Sequence, residues 1–251
     1  MDITQSFYDD MATQYEKLFL DWQSTTREQA AILDRIFNDN GLDRKAHVLD
    51  CACGIGTQSI GLAALGYQVS ASDISDGELA EARERAKKNG VQIRFEHADF
   101  RHLSEVFHEQ FDIVIAMDNA LPHMLTRTDL ESAIKSILGR TKDGGIFVAS
   151  IRDYDTLLET KPSHSTPYIH KTDKGQRISF QTWTWEDDSY HFIQYIIDDE
   201  ETLQIKKFEC DYRAIRQDEF THLCLANGCS EVIWMPPVDS GFYQPIVIAR
   251  K

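Results

Sequence analysis

Three acidic residues stand where an apolar run ends: Asp50 after Val48-Leu49, Asp73 after the stretch that begins at Tyr67, and Asp99 after Ala98. The first is followed by Cys51-Ala52-Cys53-Gly54-Ile55-Gly56-Thr57, a turn of small residues with two glycines. Glycine takes positive φ and lets a ligand come close, and the helix start beyond it presents N–H groups without partners. Such a turn is a socket for a nucleotide-like ligand. The third glycine of a dinucleotide site, which seats a pyrophosphate, is replaced here by Ser59. A carboxylate at Asp50 repels a pyrophosphate and attracts an ammonium or sulfonium, so the pattern favours S-adenosylmethionine (SAM). Asp73, about 20 residues past the glycines, is placed to accept ribose hydroxyls. Asp99 is placed to hold an adenine amino group. Each acid also has a plainer reading as a helix or turn cap.

The elements that position these residues follow from periodicity. The segment FYDDMATQYEKLFLDW puts Phe7, Met11, Tyr15, Leu18 and Trp22 on one helical stripe, and Thr25–Phe37 forms a second helix stopped by Asn40-Gly41. Strands are expected at Val48–Asp50, Tyr67–Asp73, Val91–Ala98, Phe111–Met117 and Gly145–Ile151. Helices are expected at Gln58–Leu65, Asp76–Asn89 and Asp129–Thr141, with Ser75 and Glu78 as a capping box. Alternating strands and helices imply a doubly wound, Rossmann-like parallel sheet with ligands at its carboxyl edge. Beyond Ile151 the pattern changes. Lys161–Lys174 reads as loop, then Gln176–Trp185, Tyr190–Asp198 and Glu201–Ile215 alternate as antiparallel strands. The acidic groups Asp187-Asp188 and Asp198–Glu201 fall at solvated hairpin tips. Gln217–Ala226 returns to helix, and Val232–Met235 and Pro245–Ala249 close the chain. Residues 1–151 and 216–251 therefore make a core with an N-terminal helical lid, and 152–215 make a β-rich insertion over the substrate site.

Composition bounds the function. The chain has 251 residues, 42% of them hydrophobic and 27% charged, as in a globular protein. A net charge of −15 repels phosphate backbones and argues against nucleic acid as a partner. No apolar run is long enough to span a bilayer, and the acidic start MDITQSFYDD does not read as a signal peptide. Five cysteines, an odd number, point to a reducing cytoplasm. The expected partner is a small-molecule substrate, with a homo-oligomer left open.

At this point the motifs resemble those of a known family. VLDCACGIGT, VSASDIS, EHADF and FDIVIAMDN are similar, in order and spacing, to the successive motifs of class I SAM-dependent methyltransferases, a fold with a seven-stranded sheet. DNALPHM and SIRDYDTLL resemble segments of the glycine/sarcosine N-methyltransferase-like branch, and DWQSTTREQ resembles the N-terminal helix that closes over the cofactor there. The resemblance implies cofactor contacts at Trp22, Arg27, Asp50, Ala52, Gly54, Gly56, Thr57, Asp73, Ile74, Ala98, Asp99, Phe100, Met117 and Asp118. Arg27 would hold the SAM carboxylate. It further implies that Asn119 orients an amine through its side-chain oxygen, that Arg152 binds a substrate carboxylate, and that His123 accepts a proton or orients the substrate. The alternatives are a salt bridge from Arg152 to Asp153 or Asp155, and a His123 that merely packs beside Pro122. The aromatic residues of the branch's substrate site lack clean matches here: Leu18-Phe19 and Ile169-His170 occupy those positions.

Methyl transfer from a sulfonium is an in-line displacement, so the protein mainly aligns the reacting atoms and excludes water. Two other functions fit the same core: O-methylation of a small carboxylate or secondary metabolite, and SAM binding without catalysis. Cys51 and Cys53 with His97, His102 and His108 lack the spacing of a zinc site. Trp183, Trp185 and Tyr195 read either as the packed face of a sheet or as a cage for a methylated ammonium.

Overall fold

The computed structural model describes residues 3–172, 175–199 and 202–251. Seven strands form the central sheet in the order β10-β11-β5-β4-β1-β2-β3. They are β1 (His47–Asp50), β2 (Gln68–Asp73), β3 (Arg94–His97), β4 (Phe111–Ala116), β5 (Thr141–Ser150), β10 (Glu231–Met235) and β11 (Ile246–Arg250). β1 to β5 pair in parallel, and β11 runs antiparallel between β5 and β10. The central strands are buried on both faces, which is why they read as unbroken apolar runs. Successive residues alternate between two cores: Leu49, Val114 and Phe147 face one, and Val48, Ile113, Ile115, Ile146 and Val148 face the other.

Helices α2 (Trp22–Asp39) and α3 (Thr57–Leu65) cover the second face through Leu33, Ile36, Phe37 and Leu62. Helices α5 (Arg127–Arg140) and α7 (Gln217–Ala226) cover the first through Leu130, Ile134, Ile137, Phe220 and Leu223. Helix α4 (Asp76–Lys88) follows β2, and α1 (Ile3–Tyr15) lies across it. The Asp9 carboxylate of α1 accepts Ser75 Oγ at 2.6 Å and Gly77 N at 2.9 Å, which pins α1 to the positive end of α4. The stripe expected from Phe7 to Trp22 is broken. Helix α1 ends at Tyr15, a short 3-10 turn follows, and Trp22 opens α2 behind the N-cap Asp21, whose side chain accepts Ser24 N.

A short helix α6 (Tyr154–Thr160) leads from β5 into a second, antiparallel sheet: β6 (Tyr168–Thr172), β7 (Gly175–Glu186), β8 (Ser189–Asp199) and β9 (Leu203–Arg213). Neither α6 nor β6 was legible: α6 is only 7 residues long, and β6 lies in the polar stretch read as loop. β3 is also shorter than Val91–Ala98, at four residues. Asp187-Asp188 makes the expected two-residue hairpin turn, with Asp187 at φ 50°. Asp198 is not a solvated tip. It is buried and accepts Lys17 Nζ at 2.5 Å and Arg177 Nε at 2.6 Å, while Glu200 and Glu201 lie outside the described residues. Tyr190, Phe192, Cys210 and Tyr212 of this sheet join the core formed under α1 and α5. A four-residue helix α8 (Pro237–Ser240) precedes β11, and among the described residues no helix is long and apolar enough to cross a membrane.

Candidate active site

The carboxyl edge of β1, β2 and β4 opens on two adjoining cavities of about 420 and 1070 Å³. The smaller one contains the glycine turn. Gly54 (φ 51°) and Gly56 (φ 89°) both sit in the left-handed region, and a Cβ at Gly56 would come within 2.9 Å of Ile60. Any other residue there would be strained and would press on Ile60 in the helix that follows. Of the fourteen residues expected at the cofactor, ten line this cavity: Ala52, Gly54, Thr57, Asp73, Ile74, Ala98, Asp99, Phe100, Met117 and Asp118.

The other four lie elsewhere. Gly56 shapes the turn from behind. Trp22 is buried beneath it and donates from Nε1 to Thr57 Oγ1 at 3.0 Å, with the Arg85 guanidinium over its ring. Arg27 points away on the exposed side of α2 and lines neither cavity. Helical phase explains this, since the turn that buries Trp22, Thr26, Gln29 and Ala30 turns Arg27 outward. Asp50 is fully buried below the cavity wall, where it accepts Ser59 Oγ at 2.6 Å through Oδ2, with the Ala52 backbone beside it. Burial pushes its carboxyl up to about 7, against the Ser59 hydrogen bond that favours the charged form.

Asp73 holds the turn together. Its Oδ2 accepts Gly54 N at 2.8 Å and its Oδ1 accepts Ser75 N at 3.0 Å. Burial raises its pKa, and those N–H groups oppose the rise. Asp99 accepts Arg101 N and Nε, both at 2.8 Å, so its carboxylate is already paired.

The two cavities share Tyr8, Tyr15 and Asp118. Asp118 and Asn119 follow β4 with φ of 56° and 67°, a conformation that Asp and Asn tolerate better than most residues. Asp118 accepts Tyr243 O–H at 2.9 Å and Gln58 Nε2 at 2.8 Å. Asn119 Oδ1 accepts Arg152 N at 3.0 Å and Tyr154 O–H at 3.1 Å, while its Nδ2 is buried without a partner among the described residues. A backbone N–H can only donate, so the assignment of oxygen and nitrogen is fixed. The side-chain oxygen expected to orient an amine is thus engaged by two donors within the protein, and the group left over is a donor.

Arg152 lines the larger cavity. Its Nη1 donates to Tyr190 Oη at 2.6 Å and its Nη2 to Gln181 Oε1 at 2.8 Å, and the guanidinium lies 5.0 Å from the Trp183 ring centre and 5.5 Å from that of Tyr212. No carboxylate pairs with it among the described residues: Asp153 caps α6 and Asp155 pairs with Arg216. Trp183 and Trp185 do gather, but around Tyr190 and this guanidinium, while Tyr195 stacks on Phe180. The aromatic cage therefore encloses the protein's own cation.

His123 lines the smaller cavity, bonded through Nε2 to Tyr8 Oη at 2.9 Å, with Nδ1 3.6 Å from Cys210 Sγ. Burial, reinforced by the Arg152 charge, pushes its pKa down to about 3. That environment favours the neutral ring over the imidazolium. Gln58, Tyr154, Tyr190 and Gln181 were not singled out from sequence, because ordinary polar residues in a helix and a β-sheet carry no pattern that marks them.

Residues 48–145 match the methyltransferase domain family. Glycine/sarcosine N-methyltransferase of Parasynechococcus marenigrum is 30% identical over 155 residues, which cover 62% of this chain and 54% of that protein. Its counterpart from Aphanothece halophytica is 27% identical over 159 residues, 62% of this chain and 59% of that one. The chain thus matches little more than half the length of these relatives. The CcbJ methyltransferase of Streptomyces caelestis superposes over 100% of this chain and 99% of its own, with a TM-score of 0.76 at 17% identity. The motif order, the 3-2-1-4-5 strand arrangement with its antiparallel β11, and the matched domain agree: the chain has the class I methyltransferase fold, and its residues 48–145 match the methyltransferase domain.

Proposed function

We propose that the protein is a SAM-dependent N-methyltransferase whose acceptor carries both an amine and a carboxylate and is larger than glycine. The observation that carries this reading is Arg152, a guanidinium set among aromatic rings with no acidic partner among the described residues. An unbalanced cation in such a place costs stability unless a ligand supplies the counter-ion. A substrate carboxylate does so, and the planar fork suits it. Two of the five N–H donors of Arg152 are used within the protein. Asn119, whose oxygen holds the Arg152 backbone, lines the same cavity.

The smaller cavity suits SAM: the glycine cradle takes a nucleoside closely, and the acidic wall residues Asp73 and Asp118 suit its polar groups. SAM supplies an electrophilic methyl group. The chain then has to orient an unprotonated amine and keep water out. Asp118, in the wall common to both cavities, is the acceptor available to an amine N–H now that Asn119 Oδ1 is engaged. Tyr8 and Tyr15 form the rest of that wall, and the sheet β6–β9 covers the acceptor side. A cavity of about 1070 Å³ reaches the upper end of the range for drug-sized ligands, far beyond glycine. The names of these two relatives support N-methylation of amino acids; the size of the cavity supports a bulkier one.

The test is SAM turnover, scored as S-adenosylhomocysteine release, against glycine, sarcosine, apolar and aromatic amino acids, their decarboxylated amines, and hydroxy acids. Turnover of the larger amino acids above the amines and glycine is expected. Preferred methylation of hydroxy acids would replace this reading with O-methylation, and binding without turnover of any class would leave a SAM-binding protein.

A further inference from the structure

Glu78 lies in the first turn of α4 and lines the smaller cavity, only 2% exposed. Its Oε1 has no hydrogen-bond partner among the described residues. A competition for one N–H explains this position. In a capping box the acid three residues into the helix reaches back to the backbone N–H of the cap. Here Ser75 Oγ does accept Glu78 N at 3.0 Å, but Ser75 N donates to Asp73 Oδ1 instead. Glu78 is released from capping and turns to the glycine loop, where its Oε2 would stand 2.9 Å from a Cβ built on Gly54. The N–H of that same glycine is held by Asp73 Oδ2. Two carboxyl groups therefore meet at Gly54.

An unpartnered buried carboxyl destabilises a fold, and a leucine would fill the same wall without that cost. Packing thus gives no reason for an acid here. We propose that Glu78 is a recognition residue for the nucleoside ribose, hydrogen-bonding a sugar hydroxyl beside Asp73. This rests on the reading of the smaller cavity as the SAM site. Burial, with Asp73 and Asp9 adding like charge, pushes the Glu78 carboxyl well up, toward its protonated form. A protonated carboxyl both donates and accepts, as a ribose hydroxyl does.

The experiment is calorimetric titration of wild type, Glu78→Leu and Glu78→Gln with S-adenosylhomocysteine, adenosine, 2′-deoxyadenosine and 3′-deoxyadenosine, alongside thermal melting without ligand. Glu78→Leu should bind S-adenosylhomocysteine about tenfold more weakly, the worth of one hydrogen bond to a buried polar group, and should melt no lower than wild type. Glu78→Gln, which keeps an acceptor and a donor, should stay within about threefold. Wild type should prefer adenosine to one of the two deoxynucleosides, and Glu78→Leu should lose that preference. Undiminished binding by Glu78→Leu, or equal weakening toward all three nucleosides, overturns the proposal. Should Glu78→Leu fail to fold, the Glu78→Gln and deoxynucleoside comparisons decide it. Wild type that binds none of these ligands would defeat the cofactor reading instead.

Discussion

Arg152 offers the sharpest test of the acceptor reading. Replacing it with alanine removes a guanidinium that holds Tyr190 and Gln181 and that retains three N–H groups for a ligand. A carboxylate bound by two of those groups gains two charge-assisted hydrogen bonds, each worth about 1.5–3 kcal/mol. Some of that is offset by desolvating the carboxylate, which leaves roughly 3–4 kcal/mol, or two to three decades in kcat/KM. The variant also empties the space beside Trp183 and Tyr212, so the raw loss mixes recognition with repacking. A comparison removes this ambiguity: kcat/KM is measured for an amino acid and for its decarboxylated amine, in wild type and variant. The amino acid should lose two to three decades and the amine much less, with the affinity for S-adenosylhomocysteine within about twofold. Arg152→Lys, a point charge without the fork, should recover part of the loss. Equal losses for both substrates, or a parallel fall in cofactor affinity, would refute the assignment.

Two other outcomes follow from the buried polar groups. Asp50 titrates near 7 in the fold because of burial, against about 3.9 in the unfolded chain, so between these values the native state holds a proton that the unfolded chain has lost. Its contribution to stability therefore falls as pH rises through that window, by about 4 kcal/mol if fully charged. Asp50→Asn should gain on wild type in urea unfolding between pH 5 and pH 8, as a rising difference; a pH-independent difference contradicts the burial argument. Asn119→Ala strands the Arg152 N–H, takes from the Tyr154 hydroxyl one of its two partners (Tyr190 Oη remains at 3.1 Å), and places a Cβ-bearing residue without a polar side chain at φ 67°. It should cost about 2–4 kcal/mol in the same assay, and a cost below 1 kcal/mol would show that those bonds are not formed.

What the sequence revealed and what it hid divide along physical lines. The strands were legible because both faces of a central parallel sheet are buried, and Val48-Leu49 and Ile113–Ile115 leave no polar interruption. The glycine turn and Asp73 were legible because local chain geometry dictates residue type there. Side-chain competition was not legible. Ser75 and Glu78 spell a capping box, and only the position of Asp73 shows that its second hydrogen bond goes elsewhere. Arg27 illustrates the same limit from the other side, since a shift in helical phase at Trp22 turns a matching residue outward. The donors on Asn119 Oδ1 come from Arg152 and Tyr154, more than thirty residues downstream, and no spacing rule could announce them.

Tyr8 and Tyr15 stand on one helix and face both chambers, whereas Glu78 faces only one and Trp183 only the other. A party wall of this kind makes the two sets of preferences unequal targets for redesign. Substitutions at Glu78 in α4 reshape the smaller chamber alone, and substitutions at Trp183 in β7 reshape the larger one alone. Any change of register along α1 resizes both rooms at once, so variation there has to satisfy two molecules with a single surface.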